Sequence, residues 1–263
     1  MRKRSIPLTV LFLLAATLPS AARQTASEPG PAPPPLYLMA DITVEVAKVP
    51  EYETALQALI AALNDSGFPV VFDIYATDDS HYYIIYSLES GYGAVDGLNR
   101  AWADAAAKIG PAKFQALHAR MTASETNRIL KVWTFRTDLS FLPTPERLKP
   151  GEAGYYTWDY VWLRPGKEAE FEALDREWMA LSAARKVRDP FMTYQGGIGN
   201  EEPVYVWFEY GKSAADYALA EDKFWKSVGD EGASLSKRTR ALIRKMETKT
   251  GRYRPDLSYA PER

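Results

Sequence analysis

Hydrophobic residues in this chain follow two spacings that alternate along its length. Every second residue from 38 to 46 is aliphatic, which predicts a strand, and residues 52 to 63 have helical spacing. Two further strands, "FPVVFDIYAT" and "YYIIYSL", are joined by the turn "DDSH". A second helical region, from about residue 94 to 124 with a break at "GP", leads to a fourth strand, "RILKVWTFR". The first half therefore predicts one β-α-β-β-α-β unit.

The second half of the chain repeats this order of elements. "YYTWDYVWL" is predicted as a strand, residues 171 to 181 as a helix, and "PFMTYQ" and "PVYVWFEY" as strands across a glycine-rich turn. A helical region from about residue 214 to 246 and a short strand near "GRYR" complete the unit. Repetition over this length predicts two copies of a domain-sized unit and not a solenoid.

One octet marks the repeat directly. "RTDLSFLP", residues 136–143, returns as "RPDLSYAP", residues 254–261, at an offset of 118 residues. We expect a pseudo-twofold axis to relate the two octets. Each octet should cross toward the other unit and anchor its aromatic residue there, Phe141 in the first copy and Tyr259 in the second.

Two such units in tandem resemble the dimeric α/β-barrel superfamily, which includes antibiotic-biosynthesis monooxygenase-like and chlorite-dismutase-like proteins. The resemblance lies in the element order and unit length over residues 36 to 263, without a catalytic signature. It implies an α+β fold in which two tandem ferredoxin-like βαββαβ units pack their antiparallel sheets into one α/β barrel. It also implies that a ligand sits between sheet and helices or inside the barrel.

The start of the chain has the pattern of an export signal. Basic "MRKR" precedes the apolar run "IPLTVLFLLAATL" and small residues near Ala22, and a proline-rich tether follows. The protein is therefore expected in the periplasm or outside the cell, without stable membrane insertion after cleavage, and an uncleaved anchor is the alternative. The predicted organisation is a signal peptide at 1–22, a tether at 23–35, unit 1 at 36–141, a linker at 142–154 and unit 2 at 155–263.

Charge and cysteine content narrow the range of partners. Without residues 1–22 the chain has 29 basic and 34 acidic side chains, a net charge of −5, which argues against nucleic acid as the main partner. It has no cysteine, which excludes disulfides and thiolate chemistry. The basic stretch at 237–254 is interpreted as a solvated helix face, with an anion or membrane contact as the alternative.

Alternate strand residues lie on opposite faces of a sheet, and this assigns candidate site residues. Asp41 and Asp159, matched at the octet offset, are expected to point into the barrel, where a carboxylate is costly unless paired or hydrated. Two explanations stay open: ion pairs with Arg136 and Arg254, or catalytic carboxyls with raised pKa that handle a proton. The candidate ligand-binding residues are Tyr37, Asp41, Asp73, Tyr75, Trp133, Arg136, Asp159, Tyr194, Trp207 and Arg254.

The two histidines give weaker signals. His118 lies on the apolar stripe of a predicted helix, so packing is the first interpretation, and a catalytic group or haem ligand is the alternative. His81 falls in the "DDSH" turn, which is more typical of an exposed hairpin than of a metal site. No metal and no cofactor are predicted, with haem as the alternative.

These features favour an exported small-molecule-binding protein of the α/β-barrel type, with a partly apolar or aromatic ligand. One alternative is an enzyme of the same fold, either cofactor-independent and monooxygenase-like or haem-dependent. Another is a non-catalytic structural or interaction protein. The chain is expected to be a monomer with an internal pseudo-dimer, or a homodimer.

Overall fold

A computed structural model describes residues 34–88 and 91–261 of the chain. The predicted signal peptide and the predicted tether up to residue 33 lie outside the described residues. None of the helices in these ranges combines the length and hydrophobicity that a membrane crossing requires.

The first half has the predicted element order, with its second helical region split in two. Pro50 lies in the first turn of the first helix, and Gly67, at φ 65°, ends that helix in the left-handed conformation. Gly110, at φ 95°, and Pro111 separate the next two helices. The elements are β1 (Leu36–Val44), α1 (Val49–Ser66), β2 (Asp73–Thr77), β3 (His81–Leu88), α2 (Ala94–Ile109), α3 (Pro111–Thr122) and β4 (Glu125–Phe135).

The second half follows the same order, but its end differs from the prediction. The elements are β5 (Tyr155–Leu163), α4 (Glu168–Ala184), β6 (Met192–Gly196), β7 (Val204–Gly211), α5 (Ala214–Leu242) and β8 (Ile243–Tyr253). Gly229, at φ 50° and ψ −137°, interrupts the helical conformation of α5 and kinks it. The predicted helix to residue 246 was wrong because β8 pairs with β5 from its first residue, a contact that local spacing does not report. The basic stretch at 237–254 is therefore a helix end followed by a strand.

The eight strands form one closed antiparallel barrel in the order β1-β3-β2-β8-β5-β7-β6-β4. β2 pairs with β8, and β4 pairs with β6, so each half supplies the partners for the outer strands of the other half. The two junctions are equivalent, with Tyr75 opposite Tyr253 in one and Phe135 opposite Tyr194 in the other. The expected fold, two tandem ferredoxin-like units in one α/β barrel, is confirmed.

Buried apolar residues form three clusters, one inside the barrel and one between the sheet and helices of each half. Among the described residues, the cluster of the first half contains 21 buried residues and that of the second half contains 10. The space between sheet and helices is therefore less completely filled by apolar side chains in the second half.

The octets occupy equivalent positions, as expected. Phe141 of the first octet forms an isolated bridge with Phe191 in the second half, and Tyr259 of the second octet forms one with Phe72 in the first half. Each octet therefore leaves the last strand of its own half and contacts the other half beside β6 or β2.

The octet arginines connect the halves through the first helix of each unit. Arg136 Nη1 donates to Glu172 Oε1 of α4 at 2.6 Å, and Arg254 Nη2 donates to Glu53 Oε2 of α1 at 2.9 Å. These contacts replace the expected ion pairs of the arginines with the strand aspartates. That expectation was wrong because each arginine turns toward a helix and away from the first strand of its own half.

The first strand, first helix and second strand of the two halves correspond at 119 residues, and not at 118, since β1 starts at 36 and β5 at 155. Asp41 therefore corresponds to Tyr160, and Asp159 corresponds to Ala40. A one-residue slip moves a strand side chain to the opposite face. Asp41 lies on the inner face, as expected, whereas Asp159 faces the helices, so the expectation that both aspartates point into the barrel was wrong for Asp159.

Candidate functional site

A cavity of about 360 Å³ lies between the sheet of the second half and helices α4 and α5. We call it the sheet–helix cavity. Its carboxyl groups belong to Asp159, Asp175, Glu209 and Glu221. Its aromatic residues are Trp178, Phe191, Trp207, Tyr217, Phe224 and Trp225.

Regular spacing on two strands and two helices brings these side chains together. Asp159 of β5 lies directly opposite Trp207 of β7, and Glu209 follows two residues later on the same face of β7. On α4, Asp175 and Trp178 are three residues apart and share a face. The first part of α5 contributes four more lining residues. Their three- and four-residue spacing places them on one face of the helix: Tyr217, Glu221, Phe224 and Trp225.

Asp175 is a buried carboxyl with little compensation. Its side chain is 1% exposed, and Oδ1 accepts a hydrogen bond from Trp207 Nε1 at 3.3 Å. Burial raises the pKa of Asp175 to about 7, and the hydrogen bond from the indole offsets only part of that effect. Asp175 therefore changes charge near neutral pH.

Glu209 is the second perturbed carboxyl of the cavity. Burial raises its pKa to about 8, the charge of Glu221 adds to this effect, and a hydrogen bond from the Tyr217 hydroxyl at 2.6 Å opposes it. Burial also raises the pKa of Glu221 and of Asp159. In the described part of the chain, no lysine or arginine forms an ion pair with these four carboxyls.

The equivalent positions in the first half are occupied by residues of its apolar core. β1 and β5 correspond at 119 residues, as do α1 and α4, and β3 and β7 correspond at 123. The first-half equivalents of Asp159, Asp175 and Glu209 are Ala40, Leu56 and Tyr86. All three belong to the continuous apolar cluster of the first half. The fold therefore accepts a packed, carboxylate-free core at these positions.

A second cavity, of about 230 Å³, lies inside the barrel and contains half of the predicted ligand-binding residues. The predicted residues that line it are Tyr37, Asp73, Tyr75, Trp133 and Tyr194. Trp133 is 4% exposed, and its Nε1 has no hydrogen-bond partner among the described residues. The structure therefore places these five side chains on the inner face of the sheet, and their role in ligand binding stays a prediction.

Asp41 lies on the inner face in an ion-pair network. Its carboxylate contacts Lys131 Nζ at 2.5 Å and His81 Nδ1 at 2.9 Å. Burial acts to raise the pKa of Asp41, but the hydrogen bonds with His81 and Lys131 and the charge of Lys131 outweigh it and lower the pKa. Asp41 is thus a paired carboxylate, and His81, interpreted from the sequence as part of an exposed turn, is one of its partners.

The remaining candidates are dispersed. Trp207 and Asp159 line the sheet–helix cavity, whereas Arg136 and Arg254 line neither cavity. His118 is exposed on α3 and contacts the Phe114 ring at a centroid distance of 6.4 Å, so the expected packed position was wrong.

The sequence analysis missed three of the four carboxyls of the sheet–helix cavity. Asp175 carries a detectable signal, since it interrupts the apolar stripe of α4 between Leu174 and Trp178. Glu209 carries one too, because it shares a strand face with Trp207. Glu221 gives no such signal. Polar residues lie on most faces of its helix, and only tertiary packing brings Glu221 to the cavity.

No family model and no curated protein matches this sequence. Solved structures do match in fold. An anthrone oxidase-like protein gives a TM-score of 0.57 at 14% identity, covering 84% of this chain and 91% of its own. A protein from Fusobacterium nucleatum assigned as a monooxygenase gives 0.54 at 11% identity, with coverages of 84% and 93%. A mutant chlorite dismutase from Candidatus Nitrospira defluvii gives 0.48 at 10% identity, with coverages of 84% and 92%.

These comparisons place the chain in a fold class. Its tandem α/β barrel is the dimeric α/β-barrel fold, which it shares with the anthrone oxidase-like protein and the Fusobacterium nucleatum protein. At such identities the likeness concerns the fold alone, because unrelated activities share one fold.

Asp175→Asn is expected to stabilise the protein at pH 8 by about 4 kcal/mol and at pH 4.5 by only about 1 kcal/mol. The pKa of Asp175 in the folded protein, about 7, lies above its value in the unfolded chain. The folded state therefore binds the proton more tightly, and stability falls as pH rises from about 4 to about 7. Urea unfolding followed by circular dichroism at both pH values measures the effect.

Asp104→Asn, at an exposed position on α2, is the matched control and should show no such dependence on pH. An equal effect of Asp175→Asn at both pH values would mean that Asp175 is ionised in the folded protein throughout this range.

Proposed function

We propose that this protein is exported and binds a small, partly aromatic or apolar molecule in the sheet–helix cavity. The observation that carries the proposal is the contrast between the two halves. Three carboxyls face the cavity of the second half at positions that hold apolar-core residues in the first half.

The contrast has an energetic meaning. A buried carboxyl without a charged partner costs free energy, and natural chains keep such groups where function needs them. Because the first half folds around Leu56 at the position of Asp175, this cost does not serve the architecture. A cavity of about 360 Å³ with apolar walls and a few converging polar groups is also typical of small-molecule sites.

The proposal predicts that the protein exported into the periplasm carries a bound small molecule, detectable by native mass spectrometry. Asp175→Leu places the first-half residue at this position, and at least a tenfold loss of the bound species is expected. Asp73→Asn, which alters the barrel interior, is the control and should retain the species.

Two outcomes would contradict the proposal. If Asp73→Asn loses the ligand while Asp175→Leu keeps it, the binding site is the barrel interior. If the wild-type protein carries no bound small molecule, and none binds when a periplasmic extract is added to the purified protein, the protein is not a small-molecule carrier.

A second candidate function is cofactor-independent oxygenation of an aromatic molecule. The Glu209–Tyr217 pair favours it, because a carboxyl with a pKa of about 8 can accept and return a proton near neutral pH. The anthrone oxidase-like neighbour makes anthrone the first molecule to test.

In air-saturated buffer, wild-type protein is expected to oxidise anthrone to anthraquinone at least tenfold faster than Glu209→Gln, followed by absorbance. Glu231→Gln, an exposed position on α5, should match the wild type. Equal rates for all three proteins would exclude Glu209 as the proton acceptor and remove this candidate.

Haem, the cofactor alternative of the sequence analysis, does not fit this cavity. A haem site commonly uses an imidazole ligand, but neither of the two histidines of the chain lines the cavity. His118 is exposed on α3, and the ring of His81 is engaged by Asp41. The four carboxyls would also repel haem propionates. No step of the proposed function therefore uses haem.

A further inference from the structure

The sheet–helix cavity has an unbalanced charge. Arg240 is the single basic residue among the described residues that line it, and that side chain is exposed. Four carboxyls line the same cavity, and one of them, Asp175, is 1% exposed. Like charges in a low-dielectric space repel strongly, so the cavity attracts a positive charge.

The aromatic residues of α4 and α5 face the same space. The ring of Trp178 lies 6.1 Å from that of Phe224 and 5.9 Å from that of Trp225, measured between centroids, and Trp225 is perpendicular to Trp178 at 85°. Trp207 adds a further indole on the sheet side. Rings in differing orientations around one space present several π faces to a bound group, and π faces attract cations.

The buried hydroxyl of Ser182 is an independent indication that a polar ligand group binds here. Its side chain is 1% exposed, and its hydroxyl has no hydrogen-bond partner among the described residues. It borders a side chamber of about 50 Å³ that shares Glu209, Tyr217 and Glu221 with the main cavity. Buried hydroxyls almost always have a partner, so a polar group of a ligand fits this position.

We infer that the ligand of the sheet–helix cavity is an organic cation, an amine or quaternary ammonium with an aromatic or alkyl body. The aromatic rings and the carboxyls hold the cationic head, and the Ser182 hydroxyl meets a polar substituent. This inference rests on the proposed function, since it assigns a chemical class to the molecule bound there.

A metal ion is a poorer match to the same residues. Among the described residues, no group of three or more carboxylates or histidines has the arrangement of a metal site. Tryptophan and phenylalanine rings also offer no oxygen ligands to a hard cation. A large, weakly hydrated organic cation uses both the rings and the carboxyls.

The test compares probes that share a shape and differ in charge. Phenyltrimethylammonium, its uncharged isostere tert-butylbenzene and the anion benzenesulfonate are titrated into the full chain, followed by quenching of tryptophan fluorescence at pH 8. The cation is expected to bind at least tenfold more tightly than tert-butylbenzene, and benzenesulfonate should not bind.

Two isosteric variants locate the effect. Glu209→Gln and Glu221→Gln should each reduce the preference for the cation at least threefold and leave the affinity for tert-butylbenzene within twofold. Glu231→Gln, outside the cavity, should retain the full preference. Circular dichroism verifies that each variant is folded.

Lowering the pH should weaken cation binding. The titratable and charged groups that face the cavity are Asp159, Asp175, Glu209, Glu221, Tyr217 and Arg240. Protons on the carboxyls compete with the cation, so the affinity for phenyltrimethylammonium should fall at least fivefold between pH 8 and pH 5.5. The affinity for tert-butylbenzene should stay constant.

The outcomes separate this inference from the proposed function. Equal or tighter binding of tert-butylbenzene in the wild type would overturn the cationic ligand while leaving a small-molecule site in place. Absence of binding by all three probes would overturn the cationic ligand, and absence of any co-purifying molecule would then contradict the proposed function as well.

Discussion

Neither half of this chain can pair all the strands of its own sheet. In the first half β2 and β4 are left at the edges, and in the second half β8 and β6 are left in the same way. Open edges invite pairing with other chains, and closure of a barrel removes them. The pairs β2–β8 and β4–β6 close this barrel, and the octet arginines reinforce both junctions by binding Glu53 and Glu172 on the first helices.

Barrel closure constrains the inner face and the junctions of both halves, but it leaves the outer faces free to differ. The first half fills its outer face with a continuous apolar cluster that includes Leu56 and Tyr86. The second half has Asp175 and Glu209 at these positions and a cavity of about 360 Å³ beside them. The first half thus has only features that stabilise the fold, and the second half also has the features of a ligand-binding site. The barrel interior, with its own smaller cavity, remains aromatic and mostly closed by tyrosine and tryptophan side chains.

The fold was largely predictable because period-two strands, helical stripes and the repeated octet all report local geometry. The inner-face positions of Tyr37, Asp73 and Tyr75 followed from the same alternation. The errors arose where a one-residue change in the offset between the two halves decides which face of the sheet a side chain lies on. The octets and the last strands, β4 and β8, correspond at 118 residues, whereas the first strands, β1 and β5, correspond at 119, and this one-residue difference puts Asp159 on the helix side of the sheet. Ion-pair partners such as Lys131 and Glu172 depend on side-chain direction across elements, which local patterns do not contain.

The account depends on uncompensated carboxyls in the sheet–helix cavity. Carbon-13 NMR titration of the glutamate carboxyls, with Glu209→Gln to assign the signal, measures this directly. The account predicts that Glu209 titrates with a pKa of about 8 in the free protein and moves to lower pH when phenyltrimethylammonium is bound. A Glu209 pKa near the ordinary glutamate value, unchanged by the cation, would contradict it.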